Sequence, residues 1–132
     1  MYFVAPFVAW LIAGMMKYMI NHFRYGNARE RVGNGGFPSN HTTIVTTTTM
    51  MIGWKEGFSS PIFGLGIAVT FIVIIDAMGL RRYVGLHARH INELRPDGSK
   101  LRESVGHNAV EVGGGLVLGT LLGWALSYAA AH

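Results

Sequence analysis

Two histidines in this sequence have neighbours that suit them to proton transfer and phosphoryl chemistry. His107 is followed four residues later by Glu111, and residues four apart share one face of a helix. The Glu111 carboxylate could hold one imidazole nitrogen of His107 as N–H, which leaves the other nitrogen free to attack phosphorus. The alternative is a satisfied histidine–glutamate pair that only anchors the helix, and the local sequence favours neither.

The second histidine, His41, ends the segment 35–41, Gly-Gly-Phe-Pro-Ser-Asn-His. Its glycines and proline predict a fixed turn, and Ser39 or Asn40 can cap a helix that follows. A helix start presents free backbone N–H groups to an anion, and a histidine there could donate a proton to a leaving oxygen. A capping turn with an incidental histidine is the simpler alternative, because such turns are common.

Cationic side chains form a third group of candidates. Lys17 and Arg24 are seven residues apart, and Arg81 and Arg82 follow Asp76 by five and six residues. Guanidinium groups bind phosphate oxygens and neutralise the charge that develops in phosphoryl transfer, and Asp76 could fix the direction of one arginine. Arginines at a membrane boundary are also ordinary topology determinants that contact anionic head groups.

The remaining histidines that lie inside the chain do not complete a metal site. His87 and His90 are three residues apart, but no convergent set of carboxylates accompanies them. We interpret His22, His87 and His90 as loop histidines.

Four apolar segments must position the candidate side chains, and we predict that each is a membrane-embedded helix. They are Met1–Ile20, Thr42–Trp54, Ser60–Leu80 and Asn108–Ala131. Twenty helical residues span about 30 Å, the thickness of the bilayer hydrocarbon. The shorter threonine-rich segment is predicted to cross while packed against protein, with its hydroxyls bonded to carbonyls one turn back. The predicted fold class is all-α, a membrane helical bundle with a polar cavity.

The connections between these segments predict the topology. Asn21–Asn40 and Arg81–His107 are interpreted as long polar connections, and Lys55–Ser60 as a tight turn. Nine of the eleven Lys and Arg residues fall at or in the two long connections, which four crossings place on one side. Because excess positive charge marks the cytoplasm, we expect the site on the cytoplasmic side of the cell (inner) membrane and both termini outside. No signal peptide is expected, since no basic residue precedes the first apolar segment.

Glycines recur every four residues in the last segment, at Gly115, Gly119 and Gly123. This spacing places them along one helix face and usually allows a neighbouring backbone to approach closely. Packing within the chain is the first interpretation, and a homo-oligomer formed through the same face is the second.

The composition supports a membrane protein. The chain has 132 residues, enough for one domain (1–132), and 50% of them are hydrophobic while only 14% are charged. The absence of cysteine excludes a disulfide framework, a thiol nucleophile and a thiolate zinc site. A net charge of +4 in so apolar a chain indicates an anionic membrane rather than nucleic acid as the partner.

Together these residues resemble the type 2 phosphatidic acid phosphatase superfamily, in particular its small divergent membrane branch, which is related to histidine acid phosphatases of the vanadium haloperoxidase class. The superfamily has three motifs in chain order: K-x6-R-P, P-S-G-H and S-R-x5-H-x3-D. Lys17 and Arg24 match the first spacing, residues 38–41 match the second motif, and His107 with Glu111 matches the end of the third. The resemblance to the divergent branch covers nearly the whole chain.

The resemblance implies a metal-independent phosphatase without an organic cofactor. His107 would be the nucleophile that forms a phosphohistidine, Glu111 would orient it, and His41 would protonate the leaving alcohol and later activate water. The phosphate would be held by residues from all three motifs and their neighbours, namely Lys17, Arg24, Ser39, Asn40, Arg81 and Arg82, with Asp76 in support. The implied substrate is a lipid phosphate: phosphatidylglycerophosphate, phosphatidic acid or an isoprenoid diphosphate.

The chain departs from the superfamily motifs at several positions. Tyr25, Asn40 and Glu111 replace the proline, the glycine and the aspartate. Leu101 stands where the third-motif arginine is expected, so that arginine is expected to come from Arg81 or Arg82 instead.

These departures leave a second class of function open, a non-catalytic membrane protein that binds anionic lipid or scaffolds a partner. A metal-dependent head-group transferase would need clustered aspartates. Asp76 and Asp97 are the only two aspartates in the sequence, which speaks against that reaction.

Overall fold

The computed structural model describes residues 1–26 and 36–130, and all regular structure in this part of the chain is helical. A short 3-10 turn, Tyr2–Val4, precedes five α-helices: α1 Ala5–Tyr25, α2 Asn40–Glu56, α3 Pro61–Met78, α4 Leu80–Leu94 and α5 Ala109–Ala129. Gly35, Arg29 and Arg31, which the sequence analysis placed in the first connection, lie outside the described residues. The predicted all-α class is confirmed.

Within the described residues, three helical stretches are long and apolar enough to cross a membrane: Tyr2–Arg24, Pro61–Leu94 and Ala109–Ala129. Their large apolar side chains point outward, as Phe3, Phe71 and Val117 show. Outward-facing apolar side chains are expected where the surrounding solvent is lipid rather than water. The chain is therefore a membrane helical bundle.

Helix α2 lies at the centre of this bundle and packs against α1, α3 and α5, most extensively against α5. It is rich in buried threonines, and the hydroxyls of two of them bond to carbonyl oxygens one turn back. Thr43 Oγ1 donates to Ser39 O at 2.8 Å, and Thr47 Oγ1 donates to Thr43 O at 2.7 Å. The predicted hydroxyl bonds are thus confirmed, and they let a polar sequence occupy the dry interior.

The glycine face of α5 packs against α2 of the same chain. A Cβ atom at Gly119 would lie 2.6 Å from Thr46 Cβ, and one at Gly115 would lie 2.9 Å from Ser39 O. Gly123 makes the same kind of contact with Thr47 O. The glycine face is therefore an internal contact. The prediction that a homo-oligomer forms through this face is wrong, because α2 of the same chain already covers it.

The two long connections are shorter than the sequence analysis expected. α1 continues to Tyr25, and α4 occupies more than half of the interval 81–107. His22 lies in the last turn of α1, and His87 and His90 lie on α4, so their interpretation as loop histidines is wrong. α4 was missed because its apolar positions alternate with arginines and histidines, which lower its mean hydropathy to that of a polar loop.

Candidate active site

Four helices bring candidate residues to one end of the bundle, which we call the site end. It is formed by the end of α1, the start of α2, the end of α3 and the start of α5. The sequence analysis predicted this convergence from the alternating direction of the apolar segments.

His107 and Glu111 form the centre of the site end. His107 is buried, with 7% of its surface exposed, and its Nδ1–H donates to Glu111 Oε2 at 2.9 Å. The same carboxylate oxygen accepts the backbone N–H of Asn108 at 3.1 Å, while Asn108 Oδ1 accepts the backbone N–H of Glu111 at 2.9 Å. This capping box fixes the carboxylate, and the carboxylate fixes the imidazole with Nε2 as its free nitrogen.

Asn108 is a functional residue that the sequence analysis missed, although a signal for it was present. Asn108 and Glu111 have the spacing of a capping box immediately before an apolar run. The spacing of His107 and Glu111 predicted only the bond between these two side chains. In the structure, the Glu111 carboxylate accepts from the His107 imidazole and also from the backbone N–H of Asn108 at the helix start.

Backbone bonds attach this centre to the neighbouring helices. The backbone N–H of His107 donates to Ala77 O at 3.0 Å, and that of Ser39 donates to Glu111 O at 3.0 Å. Gly106 allows the first contact, since its φ is +94° and a Cβ there would lie 2.9 Å from Ala77 O. The positions of His107 and of the α2 start are therefore set by main-chain geometry.

His41 faces His107 across the site end, and their ring centroids are 6.2 Å apart. Its side chain is partly exposed, in contrast to the buried His107. Among the described residues, the backbone N–H groups of Asn40 and His41 have no acceptor, as expected for the first turn of a helix. These donors and two imidazoles thus surround one space.

Lys17 brings a positive charge to the same space. It lies on the buried stripe of α1 formed by Ala5, Ala9 and Ala13, and only 7% of its surface is exposed. Its charge acts on His41, His107 and Glu111. Within residues 1–26 and 36–130, Lys17 has no hydrogen bond or ion pair. A buried ammonium group without a direct partner is costly unless an anion accompanies it.

The structure distinguishes the two arginines that follow α3. Arg81 Nε lies 2.6 Å from Asp76 Oδ2, and the Arg81 charge acts on both His41 and His107. Arg82 lines a separate groove of about 370 Å³ together with Arg89. The charge that acts on the two histidines is therefore that of Arg81 rather than Arg82, and phosphate binding by Arg82 stays a prediction.

Two other predicted phosphate ligands have different surroundings. Ser39 is fully buried, and its Oγ accepts from Thr42 Oγ1 at 3.0 Å and from the Thr42 backbone N–H at 3.3 Å. It caps α2, so its hydroxyl does not reach the space between the histidines. Arg24 is exposed near the end of α1, two turns beyond Lys17, and makes no described hydrogen bond to the site.

Asn40 lies at the edge of the site. Its Oδ1 is buried and has no partner among the described residues, and its side chain lines an apolar groove beside α1. Residues 1–26 and 36–130 contain no group of three or more histidines or carboxylates that could hold a metal ion.

The surroundings of His107 change its acidity. Burial is the main cause that lowers its pKa below the ordinary value, and the positive charges of Lys17 and Arg81 act in the same direction. The hydrogen bond to Glu111 opposes them. The lowered pKa keeps His107 neutral near pH 7, the form in which Nε2 carries a lone pair.

The fold and the site define a helical membrane protein with two histidines, a carboxylate and two cations at one end of its bundle. Comparison with known proteins agrees: the chain matches the Divergent PAP2 family over residues 1–122. It is also 31% identical over 113 residues to the uncharacterized membrane protein YuiD of Bacillus subtilis (strain 168), a match that covers 71% of this chain and 72% of that protein. No solved structure matches the chain.

The chain belongs to the Divergent PAP2 family, which confirms the resemblance found in its sequence. This membership suggests a phosphatase-like role in a membrane.

Proposed function

We propose that the chain is a membrane lipid-phosphate phosphatase that works through a phosphohistidine at His107. The observation that carries the proposal is the buried His107, which Glu111 orients, which faces His41 and on which the charge of Lys17 acts, a lysine without a hydrogen bond or ion pair among the described residues. Phosphoryl transfer through a covalent intermediate requires four groups: a nucleophile, a carboxylate that orients it, an acid–base group and a cation.

In the first step, Nε2 of His107 attacks phosphorus and the bond between phosphorus and the lipid oxygen breaks. Protonated His41 gives its proton to that oxygen, so the lipid leaves as an alcohol, or as a phosphate if the substrate is a diphosphate. The new phosphoimidazolium keeps its Nδ1–H, and the Glu111 carboxylate stabilises its positive charge. Lys17, Arg81 and the N–H groups at the start of α2 hold the phosphoryl oxygens.

In the second step, neutral His41 takes a proton from water, and the resulting oxygen attacks phosphorus. The bond from phosphorus to Nε2 breaks, inorganic phosphate leaves, and His107 returns to its neutral form. His41 ends the cycle protonated, ready for the next substrate. No residue outside the site end is needed.

The first experiment measures phosphate release in detergent with a chelator present. The substrates are phosphatidylglycerophosphate, phosphatidic acid and an isoprenoid diphosphate, and the variant is Glu111→Gln beside the unaltered protein. Release that resists the chelator and falls by a factor of about 10² to 10⁴ in the variant supports the proposal, since the variant loses the charge that stabilises the phosphoimidazolium. Lipid binding by folded protein without release from any substrate would instead support the non-catalytic alternative.

The two arginines offer a matched test of the phosphate clamp. We expect Arg81→Gln to lower phosphate release by about 10²-fold, because it removes a charge that acts on both histidines. Arg82→Gln, one residue further along, should change release less than about threefold, since Arg82 is exposed and its charge is not among those that act on the two histidines. Equal losses in the two variants would contradict the assignment of Arg81.

The pH dependence follows from the acidity of His107. Only the neutral imidazole of His107 attacks, so phosphoenzyme formation from a substrate whose good leaving group needs no proton from His41 should rise with pH and level off, with a midpoint below about 6.5. In Glu111→Gln the midpoint should move to still lower pH, because Glu111 is the group that raises the pKa of His107. Single-turnover phosphorylation measured across pH tests both statements, and a midpoint that moves upward in the variant would be inconsistent with them.

The orientation of the site is also part of the proposal: we place it on the cytoplasmic side of the cell membrane. Because the chain has no cysteine, single cysteines can report it. In intact cells, a membrane-impermeant maleimide should label Ser59→Cys in the turn after α2 and leave Asp97→Cys unlabelled until the membrane is opened. The reverse pattern would place the site outside.

A further inference from the structure

An apolar groove of about 530 Å³ follows the outer face of α1. The α1 side chains and backbone that line it are Trp10, Leu11, Gly14, Met15, Tyr18 and Met19. The groove is open to the side, towards the surrounding lipid, and none of these residues belongs to the mechanism described above.

One end of the groove joins the site end. Asn40, the first residue of α2, completes its lining, and the buried Asn40 Oδ1 has no partner among the described residues. On α1 itself, Lys17 lies one turn beyond Gly14, and residues three apart on a helix are neighbours. Lys17 therefore lies on the neighbouring, buried face of α1 within one turn of the groove, and Asn40 adds to the lining a polar atom that lacks a described partner.

The length of the groove matches one leaflet of a bilayer. From Trp10 to Met19 the helix rises nine residues, or about 14 Å. Half of the hydrocarbon thickness is about 15 Å. A chain that lay in this groove would thus extend from the middle of the membrane to the depth at which Lys17 and Asn40 lie.

We propose that the groove receives one hydrocarbon chain of a phosphorylated lipid whose phosphate is held by Lys17. The occupant is a lipid rather than a neighbouring helix because the groove reaches the start of α2 within one turn of the buried Lys17 charge, which a lipid phosphate neutralises and an apolar helix leaves unpaired. The methionines suit such a ligand, since their flexible side chains adapt to a chain of varying shape. This inference rests on the proposed function in one respect, that the ligand is a phosphorylated lipid. It does not require that the chain hydrolyses this lipid.

A substitution can fill the groove without disturbing the fold. A Cβ at Gly14 would meet no atom within 4 Å, so the side chain of Gly14→Leu would enter the groove. Gly64 on α3 has the same open surroundings and lines none of the described pockets beside the site, so Gly64→Leu is the matched control.

The experiment is photolabelling in nanodiscs with a non-hydrolysable phosphonate analogue of phosphatidic acid that carries a diazirine on one acyl chain. We expect the label within residues 10–19, removed by excess phosphatidic acid but not by diacylglycerol. Labelling should fall about tenfold in Gly14→Leu, which displaces several methylene groups, and change less than about twofold in Gly64→Leu. Lys17→Gln should also lower the labelling, because the phosphate loses its cation.

The outcomes separate this inference from the proposed function. Two outcomes would overturn the inference, because each would show that bulk lipid or another helix occupies the groove. In the first, diacylglycerol removes the label as well as phosphatidic acid does. In the second, both glycine variants retain the label. Phosphate release is measured separately. Specific labelling without phosphate release would support lipid binding in the groove and reject the phosphatase. Phosphate release without labelling of α1 would support the phosphatase and reject lipid binding in the groove.

Discussion

Replacing His107 with alanine is expected to abolish phosphate release, with a loss on the order of 10³-fold or more, because the atom that forms the covalent bond is removed. Replacing His41 with alanine should have a different signature. The phosphoenzyme still forms from a substrate with a good leaving group, but water is no longer activated. Labelled phosphate should therefore accumulate on His107 in His41→Ala and be absent in His107→Ala, which acid-labile labelling after a rapid quench measures.

An exposed histidine of α4 provides the control for this pair. His87→Ala should retain release and show no accumulated label, because His87 makes no described contact with the site. Label that persists in His107→Ala would assign the covalent bond to another residue. Equal behaviour of the His41 and His107 variants would reject the division of roles between them.

The second large effect is expected at the contact between α2 and α5. Gly119→Ala places a methyl group 2.6 Å from Thr46 Cβ and 3.0 Å from Thr43 O, so the two helices must separate. Overpacking of this kind costs about 1–3 kcal/mol of unfolding free energy. Because α2 carries His41 and the first turn of α5 carries Glu111, phosphate release should fall together with stability. Unfolding of the purified protein in mixed micelles measures the loss of stability.

Gly113→Ala on the same helix is the matched control. A Cβ at Gly113 meets no atom within 4 Å, and alanine is the better helix former by about 1 kcal/mol. The two substitutions are thus expected to change stability in opposite directions. A destabilised Gly113→Ala, or a Gly119→Ala variant as stable as the unaltered protein, would contradict the packing described for this face.

The sequence predicted those parts of the site that depend on local geometry. The contact between His107 and Glu111 follows from their spacing at a helix start, and the hydroxyl bonds of α2 follow from the preference of buried threonines. The proximity of His41 to His107 could not be derived in this way, because 66 residues separate them. The positive-inside pattern and the resemblance only placed both histidines at one end of the bundle.

Other features required the structure because they depend on small rotations of the chain. The choice between Arg81 and Arg82 is set by the break at Gly79, where φ is −105° and ψ is −87°. Adjacent helical residues point about 100° apart, so this break decides which guanidinium faces Asp76 and the histidines. The sequence offered Ser39 both as a helix cap and, through the resemblance, as a phosphate ligand, and the structure shows the cap with its side chain buried.

The threonine and glycine contact between α2 and α5 has a consequence for how the protein meets its lipid. Backbone and short side chains pack closely there, so we expect α2 and α5 to move as one unit. The histidine on one side and the carboxylate on the other keep their spacing whether or not a ligand is present. Turnover is then expected to follow the lateral arrival and departure of lipid in the plane of the membrane, and to respond to membrane fluidity more than to any bending of the protein.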